Sequence, residues 1–131
     1  MTDEESVLAA NAAYYDAFQK SDYPAMAALW ADDGVSCIHP GWAILDGREE
    51  VLQSYRLILR NPDQEPVISR QARVYLTGDT ARVLCIELVG GGSLAATNLF
   101  IRTGATWRMI HHHASPIAQR MTQAESSRRL N

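Results

Sequence analysis

An α+β domain is expected from this chain: three N-terminal helices packed on one face of an antiparallel sheet. Two observations carry the expectation. Helical periodicity with capping signals is confined to the residues before Pro62, whereas four segments of strand character follow between Pro66 and Ser115. Helices first and hairpin-linked strands afterwards place the helices on one face of the sheet. At 131 residues the chain is most simply one domain over residues 1–116, with a polar tail, frayed or disordered, over 117–131.

"TDEESVLAANAAYYDAFQKSD" reads as the first helix. Thr2 and Glu5 have capping-box spacing, and Val7, Asn11, Tyr14 and Phe18 share a face. In "SDYPAMAALWADDG", Asp22 caps a short second helix, Pro24 suits its first turn and Gly34 lies beyond its end. "VSCIHPGW" is a strand running into a turn, because Pro40 keeps His39 extended and Gly41 permits a bend. "LDGREEVLQSYRLILRNP" is the third helix, capped by Asp46 and stopped by Asn61-Pro62.

The strands are "VISRQARVYL", "TARVLCIELV", "LAATNLFIR" and "TWRMIHHHAS", broken at "TGD", "GGGS" and "TGA". Regular hairpins fix which residues share a face. Pairing Arg102 with Trp107 sets Phe100 opposite Met109, Asn98 opposite His111 and Ala96 opposite His113. Pairing Val89 with Leu94 sets Glu87 opposite Ala96 and Cys85 opposite Asn98, and pairing Thr77 with Thr80 sets Arg70 opposite Glu87. One face then carries Glu87, Asn98, His111 and His113 at one end and apolar residues at the other. A one-residue slip would overturn this arrangement. The opposite face (Tyr75, Leu84, Ile86, Leu88, Leu99, Ile101, Ile110, His112) is too apolar for full solvation, and a homodimer packed sheet to sheet would cover it.

The composition limits function. A net charge of -3 with no Lys/Arg stripe argues against nucleic acid, and no apolar run approaches the roughly 20 residues of a membrane span. "MTDEES" lacks the basic and apolar regions of a secretory signal. Cys37 and Cys85 lack CxxC spacing and read as buried thiols, so a cytoplasmic setting is expected. No nucleotide, flavin or nucleophile motif is present, so no cofactor is expected.

Several residues are chemical candidates. Glu87 sits mid-strand among apolar neighbours and needs a partner if ionised; His113 and Arg70 compete for it. Asn98 could fix a tautomer of His111 or donate to a substrate oxygen, or simply satisfy its neighbour. His39 lies in a turn, either completing a polar cluster or bonding the backbone. Tyr14, Phe18, Trp30 and Trp42 read as pocket wall or core, with Phe100, Trp107, Met109 and Cys85 on the same inner face. His111 and His113 lie roughly 7 Å apart along a strand, so chelation with Glu87 or His39 is an open alternative. A tag remnant is excluded, because the three histidines sit within a strand-period segment.

"AFQKSDYPAMAALWADDGVSCIHPGW", "LDGREEV", "ATNLFIR" and "WRMIHHHASP" together resemble the SnoaL-like families of the nuclear transport factor 2-like (cystatin-like α+β) superfamily, over about residues 3 to 116. That resemblance implies a curved, mostly antiparallel sheet that forms a cone with the three helices, with an internal pocket on its concave face and a dimer through the convex one. The superfamily includes ketosteroid isomerase, scytalone dehydratase, limonene-epoxide hydrolase, polyketide cyclases and non-catalytic association domains. The tyrosine and aspartate set of a ketosteroid isomerase has no match here. His111, His113 and Tyr14 approximate a scytalone-dehydratase-like set, with Glu or Asn in place of Asp. The functional expectation is proton-transfer chemistry without a cofactor on a small hydrophobic compound (isomerisation, dehydration or cyclisation). The alternative is a non-catalytic ligand-binding or dimerisation module.

Overall fold

The computed structural model describes residues 1–118; most of the polar tail expected over 117–131 therefore lies outside the described residues. Helix α1 spans Asp3–Gln19, α2 Tyr23–Leu29 and α3 Arg48–Leu59. The strands are β1 Ser36–Ile38, β2 Leu45–Asp46, β3 Val67–Thr77, β4 Thr80–Val89, β5 Gly92–Thr103 and β6 Thr106–Pro116. They form one curved six-stranded sheet in the order β2-β1-β6-β5-β4-β3, antiparallel except where β1 runs parallel to β6.

The expected caps form at two of the three helices. Thr2 Oγ1 accepts from Glu5 N while the Glu5 carboxylate accepts from Thr2 N, a reciprocal capping box. Asp22 Oδ1 accepts from Ala25 N. Asp46, however, does not cap α3. It is drawn into β2 opposite Ser36, and the N-cap is Gly47 at φ 101, a conformation that disfavours any residue with a Cβ. Arg48 then reaches the carbonyls of Trp30, Ala31 and Ala27, closing the C-terminal end of α2.

The helices cover the inner face of the sheet. Trp30, Tyr14, Tyr55, Phe100, Met26, Met109 and several valines are fully buried there. Among the described residues no helix is long and apolar enough to cross a membrane.

Three features of the strand register depart from the regular hairpins. The β4–β5 turn is the two-residue Gly90-Gly91 with Val89 opposite Gly92, so Glu87 faces Leu94 and Cys85 faces Ala96. That shift of two slides the rows and keeps the face. In β3 a bulge falls between Arg70 and Arg73, with Gln71 at φ 58. It turns Arg70 outward opposite Ile86 and places Ser69 opposite Glu87. In β6 the expected pairs Arg102–Trp107 and Phe100–Met109 form, but a bulge at Ile110 then sets Leu99 opposite His111, Asn98 opposite His112 and Thr97 opposite His113. The consequence is a correction to the sequence reading: His112 points inward, and His111 and His113 point outward.

Candidate active site

The inner face of the sheet, α1, α3 and the turn after β1 enclose a cavity of about 510 Å³. Its apolar wall comes from Phe18, Leu57, Ile58, Val67, Val89 and Leu94. Trp42, Pro40, Asn61 and Gln64 also line it, and Tyr14, His39, Glu87 and His112 give it a polar end.

Each polar group is held by the element opposite it. From α1, Tyr15 donates its hydroxyl to Glu87 Oε2 at 2.6 Å. From β5, Asn98 Nδ2 donates to Asn11 Oδ1 at 2.8 Å and to the Tyr15 oxygen at 3.2 Å. With its nitrogen so engaged, Asn98 presents only its oxygen to His112 Nδ1, 2.6 Å away. His112 therefore carries its proton on Nδ1 and keeps a lone pair on Nε2. That nitrogen lies 3.8 Å from Glu87 Oε2.

Burial sets the charges. His112 is pushed down to about 3, first by burial and then by the neighbouring histidines, so it is neutral at physiological pH. Burial pushes the Glu87 carboxyl up, partly offset by the Tyr15 hydroxyl. The two shifts run in opposite directions and each disfavours the charged form, so burial works against an ion pair between Glu87 and His112.

On the far side, Ser54 donates to Val51 O at 2.6 Å, so its oxygen accepts from His39 Nε2 at 2.8 Å. Burial lowers His39 to about 4. Its ring packs edge-on against Trp42 and Tyr55, and Tyr55 shares a 2.7 Å hydrogen bond with Tyr14. Cys37 lies 3.6 Å from His39, but burial raises its thiol to about 12, too high for a thiolate nucleophile.

The structure sorts the residues expected from sequence. Glu87 and Asn98 meet at the polar end, and Tyr14, Phe18, His39 and Trp42 line the cavity. Trp30, Phe100, Trp107 and Met109 are core residues that do not line it, and Cys85 lies behind the Tyr15 hydroxyl at 3.3 Å. Arg70 is exposed on the outer face and cannot compete for Glu87. His113 is exposed, while His111 bonds Ser36 at 2.6 Å on that same outer face. The metal sets that joined these two histidines to Glu87 or His39 are thus split across the sheet, and no group of three or more His, Cys, Asp or Glu side chains gathers among the described residues.

Tyr15 and His112, which share the polar end with Glu87, were not among the sequence candidates. A helix position next to Tyr14 carries no sign of which tyrosine reaches the sheet, and His112 is inward only because of the bulge.

A family model described as the SnoaL-like domain matches residues 7–119. The chain belongs to the SnoaL-like family. Its fold is the nuclear transport factor 2-like, cystatin-like one expected from the resemblance. This SnoaL-like chain is 41% identical to a candidate dehydratase of the nuclear transport factor 2-like family from Streptomyces avermitilis, with a TM-score of 0.80 over 88% of this chain and 96% of that one. It is 32% identical to a candidate calcium/calmodulin-dependent protein kinase type II association domain from Thiobacillus denitrificans, with a TM-score of 0.73 over 84% of this chain and 94% of that one. It is also 29% identical over 113 residues to the F-box protein SKIP8 of Arabidopsis thaliana, matching 84% of this chain and 49% of that protein's length.

Proposed function

We propose that this SnoaL-like protein is a cofactor-independent enzyme that moves protons on a small, hydrophobic compound held in the cavity. The carrying observation is the Glu87–His112 pair: a carboxyl that burial pushes up beside an imidazole that burial pushes down, 3.8 Å apart. In this reading His112 Nε2 takes a proton from the substrate and Glu87 supplies one, and a substrate oxygen or water bridging the 3.8 Å between them lets the imidazolium return its proton to the carboxylate. Asn98 and Tyr15 are positioning residues that hold the tautomer and the carboxyl. The 41% identical candidate dehydratase supports chemistry of this class.

Proton abstraction can be tested without knowing the natural substrate. Small cyclic ketones in D2O are followed by NMR for exchange of the protons next to the carbonyl. Exchange above the buffer rate in the wild type, lost in H112N and E87Q, is the expected result. Equal exchange in all three proteins would refute the reading.

A second reading, a non-catalytic dimerisation module, draws on the likeness to an association domain and on the outer sheet face, where Ile68, Tyr75 and Leu88 are exposed. The two readings are compatible. A homodimer through that face, in a cytoplasmic setting that keeps Cys37 and Cys85 as free thiols, belongs to the proposal.

A further inference from the structure

The polar end of the cavity constrains what can bind beyond its being apolar. Among the described residues, Trp30 Nε1 is the one fully buried side-chain nitrogen or oxygen without a hydrogen-bond partner. Among the same residues His112 Nε2 and Glu87 Oε1 make no hydrogen bond yet are not fully buried, so both open onto the cavity that their side chains line. Among the described residues no Lys or Arg lines that cavity. An anionic head group would therefore lose its hydration to face a carboxyl oxygen and an imidazole lone pair, with no cation to offset the cost.

We infer that the cavity selects an uncharged alcohol on an apolar body, with the hydroxyl inserted between Glu87 and His112, and that it rejects carboxylates and phosphates. A hydroxyl has one proton to donate and lone pairs with which to accept. It donates to His112 Nε2, where Asn98 has forced the lone pair to be, and its own lone pairs accept from the Glu87 carboxyl in the neutral form toward which burial shifts that group. A carboxylate can do only the second of these. The rest of the molecule lies against Phe18, Ile58, Val67 and Leu94. This inference rests on the cavity assigned above as the reactive site, but it concerns recognition and does not require turnover.

The test uses three compounds with one apolar body: cyclohexylmethanol, cyclohexanecarboxylate and cyclohexylmethylamine. Each is titrated into the 131-residue chain at pH 7, with binding read from NMR shifts of the His112 imidazole and from calorimetry. The alcohol should bind at least about tenfold more tightly than the carboxylate, a difference of about 1.4 kcal/mol. E87Q, whose amide still donates and accepts, should keep alcohol binding within about threefold. H112F should lose about tenfold, with its fold checked by circular dichroism. Carboxylate binding as tight as that of the alcohol would overturn the inference, as would no binding of the alcohol. An amine that bound most tightly, more so as pH rose, would assign an ammonium ligand to an ionised Glu87 instead, and would also overturn it. Loss of proton exchange with alcohol selectivity intact would remove the catalytic reading alone, so the two failures are distinguishable.

Discussion

Asn98 Oδ1 lies 2.6 Å from His112 Nδ1, and this contact decides which imidazole nitrogen faces the cavity. Because the Asn98 nitrogen is committed to Asn11 and Tyr15, the oxygen has no alternative role, and one buried amide orients His112 directly and Glu87 through Tyr15.

Replacing that amide should be costly. Asn98→Leu keeps similar bulk but strands the His112 N–H and the Asn11 oxygen, a loss of about 3 kcal/mol from two unsatisfied buried groups. Urea unfolding measures it. Asn98→Asp has the opposite electrostatic effect: a carboxylate at that position stabilises the imidazolium, and NMR titration should find His112 protonating at higher pH than in the wild type.

Tyr15→Phe removes the hydroxyl that donates to Glu87 at 2.6 Å. The carboxyl, already raised by burial, should climb further, moving the Glu87-dependent limb of the exchange–pH profile to higher pH. A stability loss of about 1 to 2 kcal/mol should accompany it. An unmoved limb would mean that Glu87 is not the acid.

The three consecutive histidines should behave unequally. His113→Ala changes an exposed outer-face residue and should alter stability by no more than about 0.5 kcal/mol. His112→Ala opens a void beside Tyr14 and leaves Asn98 without its donor, at about 2 to 3 kcal/mol and with loss of proton exchange. Similar losses in the two variants would contradict the β6 bulge.

Acid should weaken the fold through the buried histidines. His39 and His112 titrate at about 4 and about 3 in the folded protein against an ordinary 6.5, so between these values the unfolded chain binds more protons. Stability is therefore lost as pH falls from about 6.5 toward 4 and 3. Glu87 acts in the other sense: its raised value contributes stability below its ordinary 4.5 that disappears as pH rises through the folded value. With two imidazoles against one carboxyl, the unfolding midpoint in urea should drop between pH 7 and pH 4.5, and His112→Asn should flatten that drop.

Much of the fold was legible because its signals are local. The Thr2–Glu5 capping box, the Asp22 cap and the four strands each depend on a few adjacent residues. Glu87 and Asn98 were also legible as inward-facing polar residues, since a carboxylate and an amide alternating inward among apolar neighbours must be matched inside. The Asp46 cap failed where a short strand competed for the same backbone, and β2 itself is only two residues long.

The identity of the inward histidine depended on the tertiary structure. Composition, caps and period-two alternation by themselves determined an α+β domain with helices on one sheet face and a polar end on its inner surface. Alternation alone, however, puts His111 and His113 inside. In the folded protein β6 is fixed on two sides at once, by β5 and by β1, and just before the bulge Met109 O accepts from Ala31 N as the chain leaves α2. The extra residue at Ile110 lies beside that junction and reverses the facing of everything after it. A one-residue bulge has no composition of its own, so only the packed structure could decide that His112, with Asn98 behind it and Glu87 beside it, faces the cavity.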